Sequence, residues 1–150
     1  MININILIQD SKWKNYLKPE IYFKKKQKKI NKLGFFKRRN LEITINLSNT
    51  KEVRKLNNKF RGKNKSTDVL AFPFLNNNSN LIKNKKKKYL GDIIINLSKI
   101  KFKDNKLSFL NELDKLWIHG LLHLCGYKHK KQVDYEKMLR KEYIYLNALQ

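Results

Sequence analysis

Over the first eight residues apolar and polar positions alternate. Ile2, Ile4, Ile6 and Ile8 fall on one face, with Asn3 and Asn5 on the other, a period of two that predicts a half-buried strand. The signature returns in LEITINL, where Leu41, Ile43, Ile45 and Leu47 share a face and predict a second strand. Between them, Pro19 suits the first turn of a helix that runs through EIYFKKKQKKINKL and stops at Gly34. After the second strand, Val53, Leu56 and Phe60 recur at helical spacing, with Ser48 or Thr50 placed to cap that helix and Gly62 to end it.

RGKNKSTDVLAFPF then reads as a polar loop entering a third strand near Val69, and YLGDIIIN as a fourth, apolar enough to be central in its sheet. The segment between them, LNNNSNLIKNKKKK, has turn formers followed by a lysine run and predicts a long, solvated hairpin connection. From Ser108 the period becomes helical up to Gly126, and residues 131–149 form a last amphipathic helix with Tyr135, Leu139, Tyr143, Leu146 and Leu149 on one side. No repeat and no linker interrupts this order. The expectation is one α+β domain over residues 1–150: a small mixed four-stranded sheet packed with helices.

Composition narrows the setting. The single cysteine, Cys125, excludes an internal disulfide and fits a reducing compartment. MININILIQD lacks a basic leader and its apolar run is broken by asparagines, so it reads as a strand and not a signal peptide. No segment is apolar enough for a membrane span. Together these imply a soluble cytoplasmic protein. The formal charge of +23 favours a polyanionic partner such as RNA. That inference is weakened because 30 of the 35 basic residues are Lys, and Lys, Asn and Ile are all raised by A/T-rich codons.

All three histidines of the chain lie in HGLLHLCGYKH. At 100° per residue, His119 and His123 project within about 40° of each other, beside the stripe formed by Leu113, Trp117, Leu121 and Leu124. Two imidazoles four residues apart can meet one ion without bending the helix. Gly126 tolerates a positive φ, which lets the chain turn and bring His129 back as a third ligand. Chance gives this spacing in roughly one of four thousand random placements of three histidines. Cys125 lies about 200° from His123 and reads as a packing residue. Three neutral nitrogen donors without a fourth protein ligand form the pattern of a catalytic zinc site with an open position for water, although such sites also accept Ni, Co or Cu.

The spacing is also that of metzincin peptidases, in which Glu follows the first histidine as general base. Here that residue is Gly120, so peptide hydrolysis would need a carboxylate from elsewhere, such as Glu112 or Glu136. Arg61 stands out among so many lysines. Its planar fork suits bidentate contact with phosphate, and the competing role is satisfying carbonyls at its own helix end. Asp68 and Asp92 are each possible acceptors for the outer N–H of a metal-bound imidazole, and Asp68 is equally suited to shaping the turn before a strand.

HGLLHLCGYKH, with its Gly after the first His and Gly-Tyr before the last, resembles the histidine motif of the YbeY-type metal-dependent endoribonucleases, bacterial enzymes of ribosomal RNA processing. LNNKFRGKNKSTDVLAFPF resembles that family's second block and LGDIIIN its third, in the same order. The resemblance covers the chain from about residue 41 to its end and, more loosely, the N-terminal strand and helix. It implies that Arg61 is the family's functional arginine. Two departures stand out: Lys128 replaces the usual Asp, and SKIKFKDNKLS is short beside the family's segment before the histidine helix.

The function expected is therefore metal-dependent cleavage of single-stranded RNA in small-subunit ribosomal RNA maturation. One Zn²⁺ would be held by His119, His123 and His129, with Arg61 offsetting charge on the phosphoryl group. The nucleophile is left open between water and the neighbouring 2′-hydroxyl. Two other readings remain at this point: a zinc peptidase on the same scaffold, and a non-catalytic ribosome-binding metalloprotein.

Overall fold

Strand pairing follows the alternation. In a computed structural model, which describes residues 1–74 and 87–150, strands β1 (Ile2–Ile8), β2 (Leu41–Ser48), β3 (Val69–Pro73) and β4 (Lys88–Asn96) form one sheet in the order β1-β2-β4-β3. β1, β2 and β4 are parallel and β3 is antiparallel to β4, so the sheet is mixed, with β4 inside it as expected. The expected connection spans 75–88, and its residues 75–86 lie outside the described residues. The fold is α+β.

The two faces of the sheet are covered unequally. Ile43, Ile45, Leu47, Ile93 and Ile95 are fully buried on one face, under α1 (Pro19–Ile30), α4 (Lys106–Leu124) and α5 (Gln132–Ala148). Trp13, Phe23, Phe109, Leu113 and Trp117 complete that core. On the other face, α3 (Thr50–Arg61) packs Val53, with Leu56 beside it, against Leu70 and Ile94 in a smaller cluster. Leu7, on the part of this face that β1 contributes, is exposed.

Several boundaries differ from the sequence reading. The first helix ends at Ile30, and Gly34 opens a separate short helix, α2 (Gly34–Lys37). The cause is tertiary: the Asn31 amide donates to Ile2 O (3.0 Å) and accepts from Ile2 N (2.7 Å), while Gln27 accepts from Ile4 N (2.8 Å). These side chains satisfy the open edge of β1 as another strand would. The cap of α3 is Asn49, whose side chain accepts from Glu52 N, and neither Ser48 nor Thr50 fills that role. α4 begins two residues before Ser108, capped by Asn105.

α5 turns inward only part of the face expected, where Leu149 is buried and Leu146 packs against the core. Met138, Tyr145 and Leu149 are buried, whereas Tyr135, Leu139 and Tyr143 are exposed. Apolar residues occupy both sides of this helix, so periodicity alone cannot choose between them.

Gly91 carries a close approach. The register of β2 against β4 slips at Leu90, pairing Glu42 with Tyr89 and Ile43 with Gly91. Gly91 takes φ +137°, and a Cβ there would lie 2.1 Å from Phe72 O. Only glycine lets the bulged strand keep β3 at pairing distance.

Candidate metal centre

The histidine helix is shaped by its C-terminal turn. Gly126 N donates to His123 O (3.0 Å) and Tyr127 N to Leu122 O (3.0 Å), the paired bonds of a Schellman motif, with Gly126 at φ +95°. The turn also orients a candidate ligand, because His123 Nδ1 donates to the Tyr127 carbonyl (3.0 Å). On the neighbouring ring, His119 Nδ1 donates to Glu142 Oε1 of α5 (2.5 Å).

With both Nδ1 atoms committed as donors, each Nε2 presents a lone pair. The two Nε2 atoms lie 3.0 Å apart. Two lone pairs repel at that separation unless a shared proton or a cation lies between them, and the spacing is close to the roughly 3.3 Å between donor atoms that bonds of about 2.0–2.1 Å imply in a tetrahedral site. The His129 ring is 4.9 Å from that of His123 and 5.6 Å from that of His119. The three residues offer ligand atoms that all lie within 4.8 Å of one another, so together they could hold a metal ion. His123 titrates below the ordinary imidazole range, first through burial and then through the charge of His119, with smaller effects from His129 and Arg61, against the Tyr127 hydrogen bond. A neutral ring is the form a ligand requires.

The carboxylates proposed from sequence stand elsewhere. Asp68 Oδ1 accepts from Val69 N (2.8 Å) and from the Thr67 hydroxyl (3.1 Å), so it shapes the strand entrance. Asp92 accepts from the Tyr89 hydroxyl (2.8 Å). Glu112 pairs with Lys115 (2.9 Å) and Glu136 accepts from Gln132. The residue that reaches the histidines is Glu142, 23 positions from His119, and no local spacing marks it. Because Glu142 meets the ring at Nδ1, it sits behind the imidazole and not on the ligand side.

Gly120 has its own explanation. It is buried on the sheet-facing side of α4, and a Cβ there would lie 2.7 Å from Ile93 Cγ2. The position faces the sheet, so a glutamate placed there would be driven into the core. The peptidase reading needed Glu112 or Glu136 at the histidines, and with those two engaged by Lys115 and Gln132 it is not favoured.

Arg61 ends α3 and is exposed. Its NH2 group donates to Ala71 O of β3 (2.8 Å) and its guanidinium carbon stands 5.4 Å from the Phe72 ring centroid. It is thus tied to β3, not to its own helix end, and its charge is felt at His123. Lys128 is exposed beside the turn. Cys125 packs against the core, and burial pushes its thiol up to about 12, as suits a packing residue.

Comparison with known proteins gives a consistent result. The family described as Endoribonuclease YbeY matches residues 5–150. The chain belongs to the YbeY endoribonuclease family. Endoribonuclease YbeY of Pelagibacter ubique is 38% identical over 145 residues, covering 95% of this chain and 92% of the relative. That of Thermodesulfovibrio yellowstonii is 36% identical over 123 residues, covering 79% and 73%. Among solved structures, the solution structure of TM1509 from Thermotoga maritima aligns with a TM-score of 0.60 at 25% identity, over 98% of this chain and 89% of that one. The resemblance read from the three sequence blocks is therefore borne out, over residues 5–150 of the chain.

Proposed function

We propose that residues 1–150 act as one metal-dependent endoribonuclease domain that cleaves single-stranded RNA, with small-subunit ribosomal RNA as substrate in the cytoplasm. No helix among the described residues is long and apolar enough to cross a membrane. The observation that carries the reading is the convergence of three imidazoles, whose ligand atoms all lie within 4.8 Å of one another.

His119, His123 and His129 would hold one Zn²⁺, which when bound supplies a Lewis-acid charge for phosphodiester cleavage. Glu142 and the Tyr127 carbonyl fix the tautomers of two of these rings, so that Nε2 is the free atom on each. Arg61 has one N–H spent on Ala71 and others free to bind phosphate oxygens, where a cation offsets charge that grows in the transition state. Lysines on the surrounding surface bind the backbone without reading sequence.

The test is cleavage of single-stranded RNA by the purified protein, with and without chelator. His123→Ala and Arg61→Ala should each abolish cutting while circular dichroism shows a folded chain. Full activity in either variant would remove that residue's role, and activity in chelator would end the metal reading.

A further inference from the structure

On the sheet face away from the histidines lies a groove of about 650 Å³. The strand register explains its floor. Asn46 of β2 lies beside Ile94 of β4, and one step along Asp92 sits between Thr44 and Phe72. α3 walls one side with Phe60 and Arg61. The Phe60 and Phe72 rings lie 5.4 Å apart, and Phe60 with Phe74 and Leu7 forms an exposed apolar patch along the groove. Asn46 Oδ1 is shut off from water and has no hydrogen-bond partner among the described residues.

We propose that this groove is a nucleobase subsite for single-stranded RNA, selective for guanine, which holds the strand whose backbone Arg61 binds. The proposal rests on the endoribonuclease reading and adds to it a base preference. Charge decides which part of a nucleotide can enter. The Asp92 carboxylate on the floor repels phosphate, whereas Lys59, Arg61 and Lys63 are exposed around the end of α3 and attract it. The backbone therefore stays on the basic rim and the base turns inward. Phe60 and Phe72 offer ring surfaces of the kind on which bases stack.

The edge that fits is set by the floor. Asp92 Oδ1 already accepts from the Tyr89 hydroxyl, which is also 2.9 Å from Thr44 Oγ1. The Asp92 carboxylate keeps accepting capacity on both oxygens, enough for two adjacent N–H donors. Guanine presents adjacent N–H donors at N1 and N2, more than any other base offers on one edge. Arg61 lines the groove and is anchored to the Ala71 carbonyl, which fixes its guanidinium at the groove wall.

Binding of 2′-O-methyl hexanucleotides, which are protected from attack by the 2′-hydroxyl, tests this by fluorescence anisotropy on the full chain. The wild type should bind a uridine hexamer carrying one guanosine about tenfold more tightly than the all-uridine hexamer. Asp92→Asn should erase that ratio, and Phe60→Ala, at an exposed position, should weaken the guanosine hexamer several-fold with an unchanged melting temperature. An equal affinity for both hexamers in the wild type, or a ratio that survives Asp92→Asn, overturns the proposal. Binding of neither hexamer by a protein that still cuts RNA also overturns it and leaves the groove to another occupant, such as a protein segment. Cleavage of unmodified RNA is scored separately, so that a guanosine preference without cutting sinks the nuclease reading and leaves the subsite standing.

Discussion

Glu142 Oε1 and His119 Nδ1 meet at 2.5 Å across the packing of α5 on α4. The carboxylate holds the imidazole with its other nitrogen free for a metal, and it makes that nitrogen a stronger donor. Glu142→Gln should weaken zinc binding by about 10- to 100-fold, because outer partners of ligand imidazoles typically have effects of that size. Competition against a chromophoric chelator measures this, and an unchanged affinity would show that the pair only joins the helices.

The same centre should couple metal to stability. Zinc at one hundred times its dissociation constant stabilises the folded state by about 2.7 kcal/mol, or roughly 5–10 °C for a chain of this length. Calorimetry with zinc and with chelator should show that difference in the wild type and lose most of it in His123→Ala.

Packing at two glycines predicts losses of unequal size. Gly120→Ala puts a methyl 2.7 Å from Ile93 Cγ2, a side-chain clash that a small shift of α4 relieves; about 1–3 kcal/mol should be lost in urea unfolding. Gly91→Ala meets backbone at 2.1 Å with φ +137°. Nothing flexible can give way there, so this variant should yield little soluble folded protein.

Asp114 is 4% exposed and accepts from Tyr22 Oη (2.7 Å), Lys26 Nζ (2.6 Å) and Trp117 Nε1 (2.9 Å). Asp114→Ala strands the lysine charge and should cost about 3 kcal/mol or more. Burial, then the Asp114 charge, raises the ionisation of Tyr22 well above its ordinary value. The unfolded chain loses that proton near pH 10. The contribution of Tyr22 is therefore complete below pH 10 and lost as pH rises beyond it. Above that pH, Tyr22→Phe should lose stability more gently than the wild type, by up to about 1.4 kcal/mol per pH unit. Parallel slopes in chemical denaturation would refute the assignment.

Much of this protein is legible in the amino-acid sequence, because strands and helices write their periods locally. The four strands stand where Ile2 to Ile8, Leu41 to Leu47, Val69 and the YLGDIIIN run predict them. The i, i+4 pair His119 and His123, with Gly126 to turn the chain, marks a candidate metal centre within eleven residues, and three blocks in order carry the family. Tertiary structure alone decided what depends on chain segments far apart. It brought Glu142 to His119, tied Asn31 to Ile2 and so ended α1 early, and chose Met138 and Tyr145 over Leu139 and Tyr143 as the inward face of α5. It also pressed Gly120 against Ile93, which explains why no glutamate stands there. Periodicity reports which faces of an element are apolar, but it carries no term for which distant surface will cover them, and that choice is made only when the whole core closes.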